Sequence, residues 1–140
     1  MNKYSFSDIE IGMRNSFEVK ISKSHMSQFL NITGDKNPIH VNSHYAKSHG
    51  MKDIVVYGML TSSFYSTLVG VYLPGKYALL HSIEVQFIKP VFIGDRLLIE
   101  GEVTDKNELF NQIILKSSIR NQHSTKVSRA KIKIGILDEK

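Results

Sequence analysis

The densest chemical segment of the chain is Thr33-Gly34-Asp35-Lys36-Asn37-Pro38-Ile39-His40-Val41-Asn42. An aspartate and a histidine brought together pair a base that needs no activation with an imidazole able to take or give a proton near neutral pH. Pro38 removes a backbone donor and disfavours helix at Asn37, so Asp35 and His40 are expected on a defined turn rather than along one continuous helix. A plainer role also suits these residues. Asp35 would then accept backbone N–H groups in an Asx-turn, and His40 would be an ordinary surface or core histidine.

The second candidate is Tyr57-Gly58-Met59-Leu60-Thr61-Ser62-Ser63, read as the opening of a helix. The first N–H groups of a helix have no partner within it and carry partial positive charge outward. A glycine there lets a ligand reach the backbone, so the Gly58 N–H suits an oxyanion donor that polarises a carbonyl. It equally suits a small residue that lets the helix start pack closely.

These residues need a frame. Met26, Phe29 and Leu30 fall at i, i+3, i+4 and predict a helix over Lys23 to Asn31, with Ser22 as its cap and Gly34 beyond its end. Asn42 can cap a short helix ending near Gly50. Met59, Leu60, Phe64, Leu68 and Val71 predict a helix from Gly58 to about Tyr72, closed by Leu73-Pro74-Gly75 and apolar or small nearly all round, hence central. From Tyr77 onward the period changes to two. His81, Ile83, Val85 and Phe87 share one face of a strand, as do Leu97, Ile99, Gly101 and Val103. Ile113, Leu115, Ser117 and Ile119 form the next set, then Ile132, Ile134 and Ile136, with Arg129, Lys131 and Lys133 outward. Pro90 with Ile93-Gly94-Asp95, and then Asp105-Lys106-Asn107, are expected to separate strands of an antiparallel meander, with Ser16 to Ile21 as an extra strand. One sheet wrapped round one buried helix is the economical α+β solution.

Composition bounds the rest. The chain has 140 residues, 41% hydrophobic and 22% charged, which is globular composition for a single domain over residues 1–140. It has no cysteine, which excludes disulfides, thiolate nucleophiles and Cys-ligated metals. The N-terminal MNKYSFSDIEIG lacks the apolar run of a signal peptide, so a cytoplasmic location is expected. The longest uncharged run, Ile54 to Gly75, is broken by too many hydroxyl residues to span a membrane. Eighteen Lys and Arg against thirteen Asp and Glu give a net charge of +5, which favours anionic partners without choosing among them. A metal site is not expected: His40, His44 and His49 fall in one short segment with Asp35, but Asn42 starts a helix between His40 and His44, so they need not share a face, and there is no His-Glu-x-x-His pattern. Nor is nucleic-acid binding. The basic residues Arg120, Lys126, Arg129, Lys131 and Lys133 alternate as a solvated sheet face does, with no aromatic residues interleaved.

Taken in order, Gly34-Asp35-x-Asn37-Pro38-x-His40-x-Asn42, Gly58-Met59-Leu60, Leu73-Pro74-Gly75 and Val85-x-Phe87-x-x-Pro90-Val91-x-x-Gly94-Asp95 resemble the MaoC-type (R)-specific enoyl-CoA hydratases of the hot-dog superfamily. The resemblance covers about residues 20 to 105. It implies a hot-dog fold, a homodimer or higher homo-oligomer, and reversible hydration of 2-enoyl thioesters carried on CoA or an acyl-carrier protein. No separate cofactor is implied, since CoA or phosphopantetheine arrives with the substrate. By position, Asp35 and His40 become the catalytic pair, Asn37 supports their loop, Gly58 supplies the oxyanion N–H, and Ser62 orients Asp or His. Tyr57, Met59 and Phe64 are expected to border the acyl chain, Tyr57 standing where several relatives carry histidine. The rival activities on such a fold are thioester hydrolysis and non-catalytic binding of acyl thioesters.

Overall fold

The structure is a computed structural model that describes residues 1–137. Helix α1 (Lys23–Thr33) begins where Ser22 accepts the His25 N–H and ends where Gly34 turns left-handed at φ 70°. The serine satisfies an orphan donor, and glycine has no Cβ to oppose a positive φ. The helix runs two residues past the expected Asn31. Asn37 then accepts the Ile39 N–H and opens α2 (Pro38–Val41). Asn42 accepts the Tyr45 N–H and opens α3 (Ser43–Ser48). His40 therefore stands on a one-turn helix rather than an open turn. Pro38 sits at its start, where a missing N–H costs nothing. Asp35 remains in the loop between α1 and α2.

Helix α4 (Gly58–Thr67) continues as one π-helical turn, Leu68–Tyr72, so the predicted helical stretch is present over its full length. The strands are β1 (Arg14–Lys20), β2 (Ala78–Phe87), β3 (Arg96–Asn107), β4 (Gln112–Arg120) and β5 (Lys126–Ile136). They form one antiparallel sheet in the order β1-β3-β4-β5-β2. Strands β3 to β5 are the expected meander, but β2 closes on β5 instead of its sequence neighbour. Both edges of β3 are taken, by β1 and β4, so β2 cannot pair with it. The turn expected at Asp105–Asn107 is displaced too. Strand β3 passes through a bulge between Val103 and Asp105 and reverses only at residues 108–111, where Asn111 takes φ 50°.

Helix α4 and its π turn lie against the inner face of the sheet, where Leu60, Tyr65, Leu68, Ile99, Leu115 and Ile132 are all buried. Each such side chain contributes roughly 1.5–3 kcal/mol relative to exposure. The face expected to be inward on β2 behaves differently. Val85 is half-buried while His81, Ile83 and Phe87 are exposed, because β2 is an edge strand with a neighbour on one side only. Arg129, Lys131 and Lys133 do point to solvent. Among the described residues no helix is long and apolar enough to cross a membrane.

Candidate active site

The segment between α3 and α4 fixes His40. The Val55 N–H donates to the Ile39 carbonyl at 2.9 Å, and the Val55 carbonyl lies 2.6 Å from His40 Nδ1. A carbonyl only accepts, so Nδ1 carries the proton and Nε2 is the nitrogen left for chemistry. The imidazole lines a cavity of about 310 Å³ together with Val55, Gly58, Thr61, Phe87 and Lys89.

Gly58 is the first residue of α4, so its N–H has no preceding helical turn to bond. Phe87 lies over it: a Cβ at position 58 would come within 2.8 Å of that ring. The ring is 57% exposed and closes one side of the cavity. A helix N-terminus and an imidazole thus face one cavity, which suits a substrate that gains negative charge on an oxygen while a proton moves nearby.

Asp35 is exposed and forms an Asx-turn, its Oδ1 accepting the Asn37 N–H at 3.1 Å. Its second carboxylate oxygen has no partner among the described residues. It is not part of the cavity wall. It joins the site through Tyr57, whose hydroxyl donates to the Asp35 carbonyl at 2.8 Å. Burial pushes the Tyr57 phenol up, and the negative charge of Asp35 adds to the shift. The phenol and that carboxylate are therefore electrostatic neighbours. Asn37 serves the loop as a cap, in the supporting position the resemblance implies.

The remaining expected site residues are dispersed. Ser62 is buried, but its Oγ has no hydrogen-bond partner among the described residues and orients neither Asp35 nor His40. None of Tyr57, Met59 and Phe64 lines the cavity. Tyr57 is 2% exposed and packed behind it, Met59 is 68% exposed, and Phe64 is half-buried with its ring edge-on to His25 at 6.3 Å. Three participants were not assigned a role in the sequence. Phe87 stood inside a quoted motif, Lys89 gave no signal beyond its charge, and Val55 acts through its backbone, which side-chain identity does not encode. Among the described residues no three His, Cys, Asp or Glu side chains are grouped to hold a metal.

A larger cleft, about 950 Å³, crosses the outer face of the sheet, lined among others by Arg14, Glu84, Glu102, Lys116, Arg129 and Lys131. Its charges are mixed in sign and it contains no imidazole, so the chemistry belongs to the smaller cavity.

Residues 7–126 match the family described as MaoC like domain. The chain is 35% identical over 100 residues to the 3-hydroxybutyryl-CoA dehydratase of Methylorubrum extorquens, a match spanning 71% of this chain and 64% of that protein, just under two thirds of its length. It is 31% identical over 104 residues to the (R)-specific enoyl-CoA hydratase of Aeromonas caviae, covering 74% of this chain and 78% of that one. The fold superposes on the unliganded R-hydratase PhaJ1 of Pseudomonas aeruginosa with a TM-score of 0.89 at 26% identity, covering 96% of this chain and 86% of the other. The chain belongs to the MaoC-like domain family, a family of hydro-lyases by the names of these relatives, and has the α+β hot-dog fold.

Proposed function

We propose that this chain reversibly adds water to trans-2-enoyl thioesters, giving (R)-3-hydroxyacyl thioesters. The observation that carries the reading is that His40, its Nδ1 committed to the Val55 carbonyl, shares one cavity with the first residue of α4. Water held by Asp35 and His40 adds its oxygen to C3 while one of the pair takes its proton. The alkene electrons move onto the thioester oxygen, which rests on the Gly58 N–H. The proton taken from the water is returned to C2 through the pair, so water is consumed and nothing else is. A positioned acid–base pair supplies about 10²–10⁴-fold and an oxyanion donor roughly 10²–10³-fold. Together that is about 5–10 kcal/mol of barrier.

Lys89 on the cavity wall offers a cation for the phosphates of CoA or a carrier's phosphopantetheine. The working form in this reading is a homodimer joined through β2. That strand has a neighbour on one side only, and Leu79, Leu80, Ile83 and Phe87 on it are exposed large apolar residues. Free strand edges and apolar patches of this kind are what association covers.

Thioester hydrolysis is disfavoured because α4, Gly58–Thr67, contains no Asp or Glu to act as base or nucleophile there. Crotonyl-CoA followed for loss of alkene absorbance and for thiol release separates the readings. Hydration predicts alkene loss without free thiol; thiol release with the alkene intact would replace it with hydrolysis, and no change with either readout would leave only binding.

A further inference from the structure

Tyr57 joins three segments of the site. It is the residue before Gly58 and the cap of α4, and its carbonyl accepts the Leu60 and Thr61 N–H groups at 3.1 and 3.2 Å. Its ring lies between two others, Phe29 of α1 with centroids 4.8 Å apart and His40 of α2 at 4.2 Å and 31°. Its hydroxyl reaches across to the Asp35 carbonyl. Among the described residues the Asp35 loop is otherwise held by short-range bonds, among them those from the Asp35 and Asn37 N–H groups to side chains two residues away.

We propose that Tyr57 is the positioning residue of this site, its hydroxyl tying the Asp35 loop to the start of α4 and its ring setting the plane of the His40 imidazole. The assignment rests on the hydratase reading for its catalytic consequence but not for its structural one. Tyr57 lies outside the cavity wall. It fixes the distance between the carboxylate, the imidazole and the Gly58 N–H, three groups carried on three separate segments. Catalysis by an acid–base pair and an oxyanion donor is sensitive to such spacing, because misplacement by about 1 Å can cost 10²-fold.

Tyr57→Phe keeps both ring contacts and removes only the bond to the loop, so the fold is expected to persist. Two readouts test it. Amide hydrogen exchange at Asn37, Ile39 and His40 should accelerate about threefold to tenfold, the worth of one neutral hydrogen bond, while amides of β3 to β5 keep their protection. The kcat for crotonyl-CoA should fall by a similar factor with KM unchanged, and Tyr57→Phe should cost nothing further in an Asp35→Asn background, since the hydroxyl acts through that loop. Unchanged exchange at the three loop amides would overturn the assignment whatever the activity. Accelerated exchange in a protein whose wild type leaves crotonyl-CoA untouched would keep Tyr57 as the brace and sink the hydratase reading instead. Equal additional loss in the Asp35→Asn background would also overturn the assignment, because the hydroxyl would then act elsewhere.

Discussion

Replacing Gly58 by alanine probes the site with one methyl group. The added Cβ lies 2.8 Å from Phe87 Cε1 and 3.2 Å from its Cδ1 and Cζ. Carbon atoms rest about 3.5–4.0 Å apart, so the ring must retreat by roughly 0.7–1.2 Å. It can do so cheaply, because it is a side-chain end on an edge strand and 57% exposed. Overpacking a closed core costs about 1–3 kcal/mol. An open neighbour should hold the cost to about 1 kcal/mol, and alanine recovers up to about 1 kcal/mol over glycine within a helix. The melting temperature is therefore expected to stay within about 3 °C of wild type. Activity is another matter. The methyl occupies the approach to the α4 N-terminus and the displaced ring perturbs a cavity of only about 310 Å³, so kcat/KM for crotonyl-CoA should fall about 10²–10³-fold, as for a lost oxyanion donor. A thermal melt and steady-state hydration kinetics on the same preparation decide it. Wild-type kcat/KM in a folded Gly58→Ala protein would refute the placement of the thioester oxygen on α4.

Two further outcomes concern stability and assembly. Burial holds the Tyr65 phenol up to about 12, against the ordinary 10.0, with the bond to Ser128 pulling the other way. The neutral form is favoured in the folded state, so this contribution is fully present below pH 10 and is lost as pH rises toward 12. Its size is on the order of 2–3 kcal/mol, readable from urea melts across that window and absent in Tyr65→Phe; an unchanged melt profile in that variant would show that the alkaline loss arises elsewhere. Ile83→Lys places a charge on the exposed β2 edge and should convert a dimer to a monomer in sedimentation, with the sheet intact by circular dichroism. A dimer that survives the substitution would exclude this strand as the contact.

Much of the frame was legible because local rules acted alone. Ser22, Gly34, Asn37 and Asn42 mark helix boundaries by the hydrogen bonds and backbone angles their own side chains permit. The period-two isoleucines of β4 and β5 declare a buried face. Strand order is not legible, since alternation identifies a strand but not its neighbour, and β2 pairs with β5 while β1 takes the edge of β3. The β3–β4 turn escaped because Leu109 and Phe110 at its tip are exposed apolar residues, the opposite of a turn signature. In the site, Asp35, His40 and Gly58 stood out by type and spacing. Tyr57 is visible by its bulk, which alone does not reveal that its hydroxyl turns toward the Asp35 carbonyl. The Val55 carbonyl and the Phe87 ring belong to the site by tertiary approach, which no local pattern records.

The central claim is that His40 and its cavity hydrate an enoyl thioester on one face. Wild type and His40→Ala, incubated side by side with crotonyl-CoA and analysed by chiral separation of the product, test it most directly. Wild type should form (R)-3-hydroxybutyryl-CoA, while a folded His40→Ala protein should form it at least 10²-fold more slowly. Equal rates in the two proteins, or a product of mixed configuration from wild type, would contradict it.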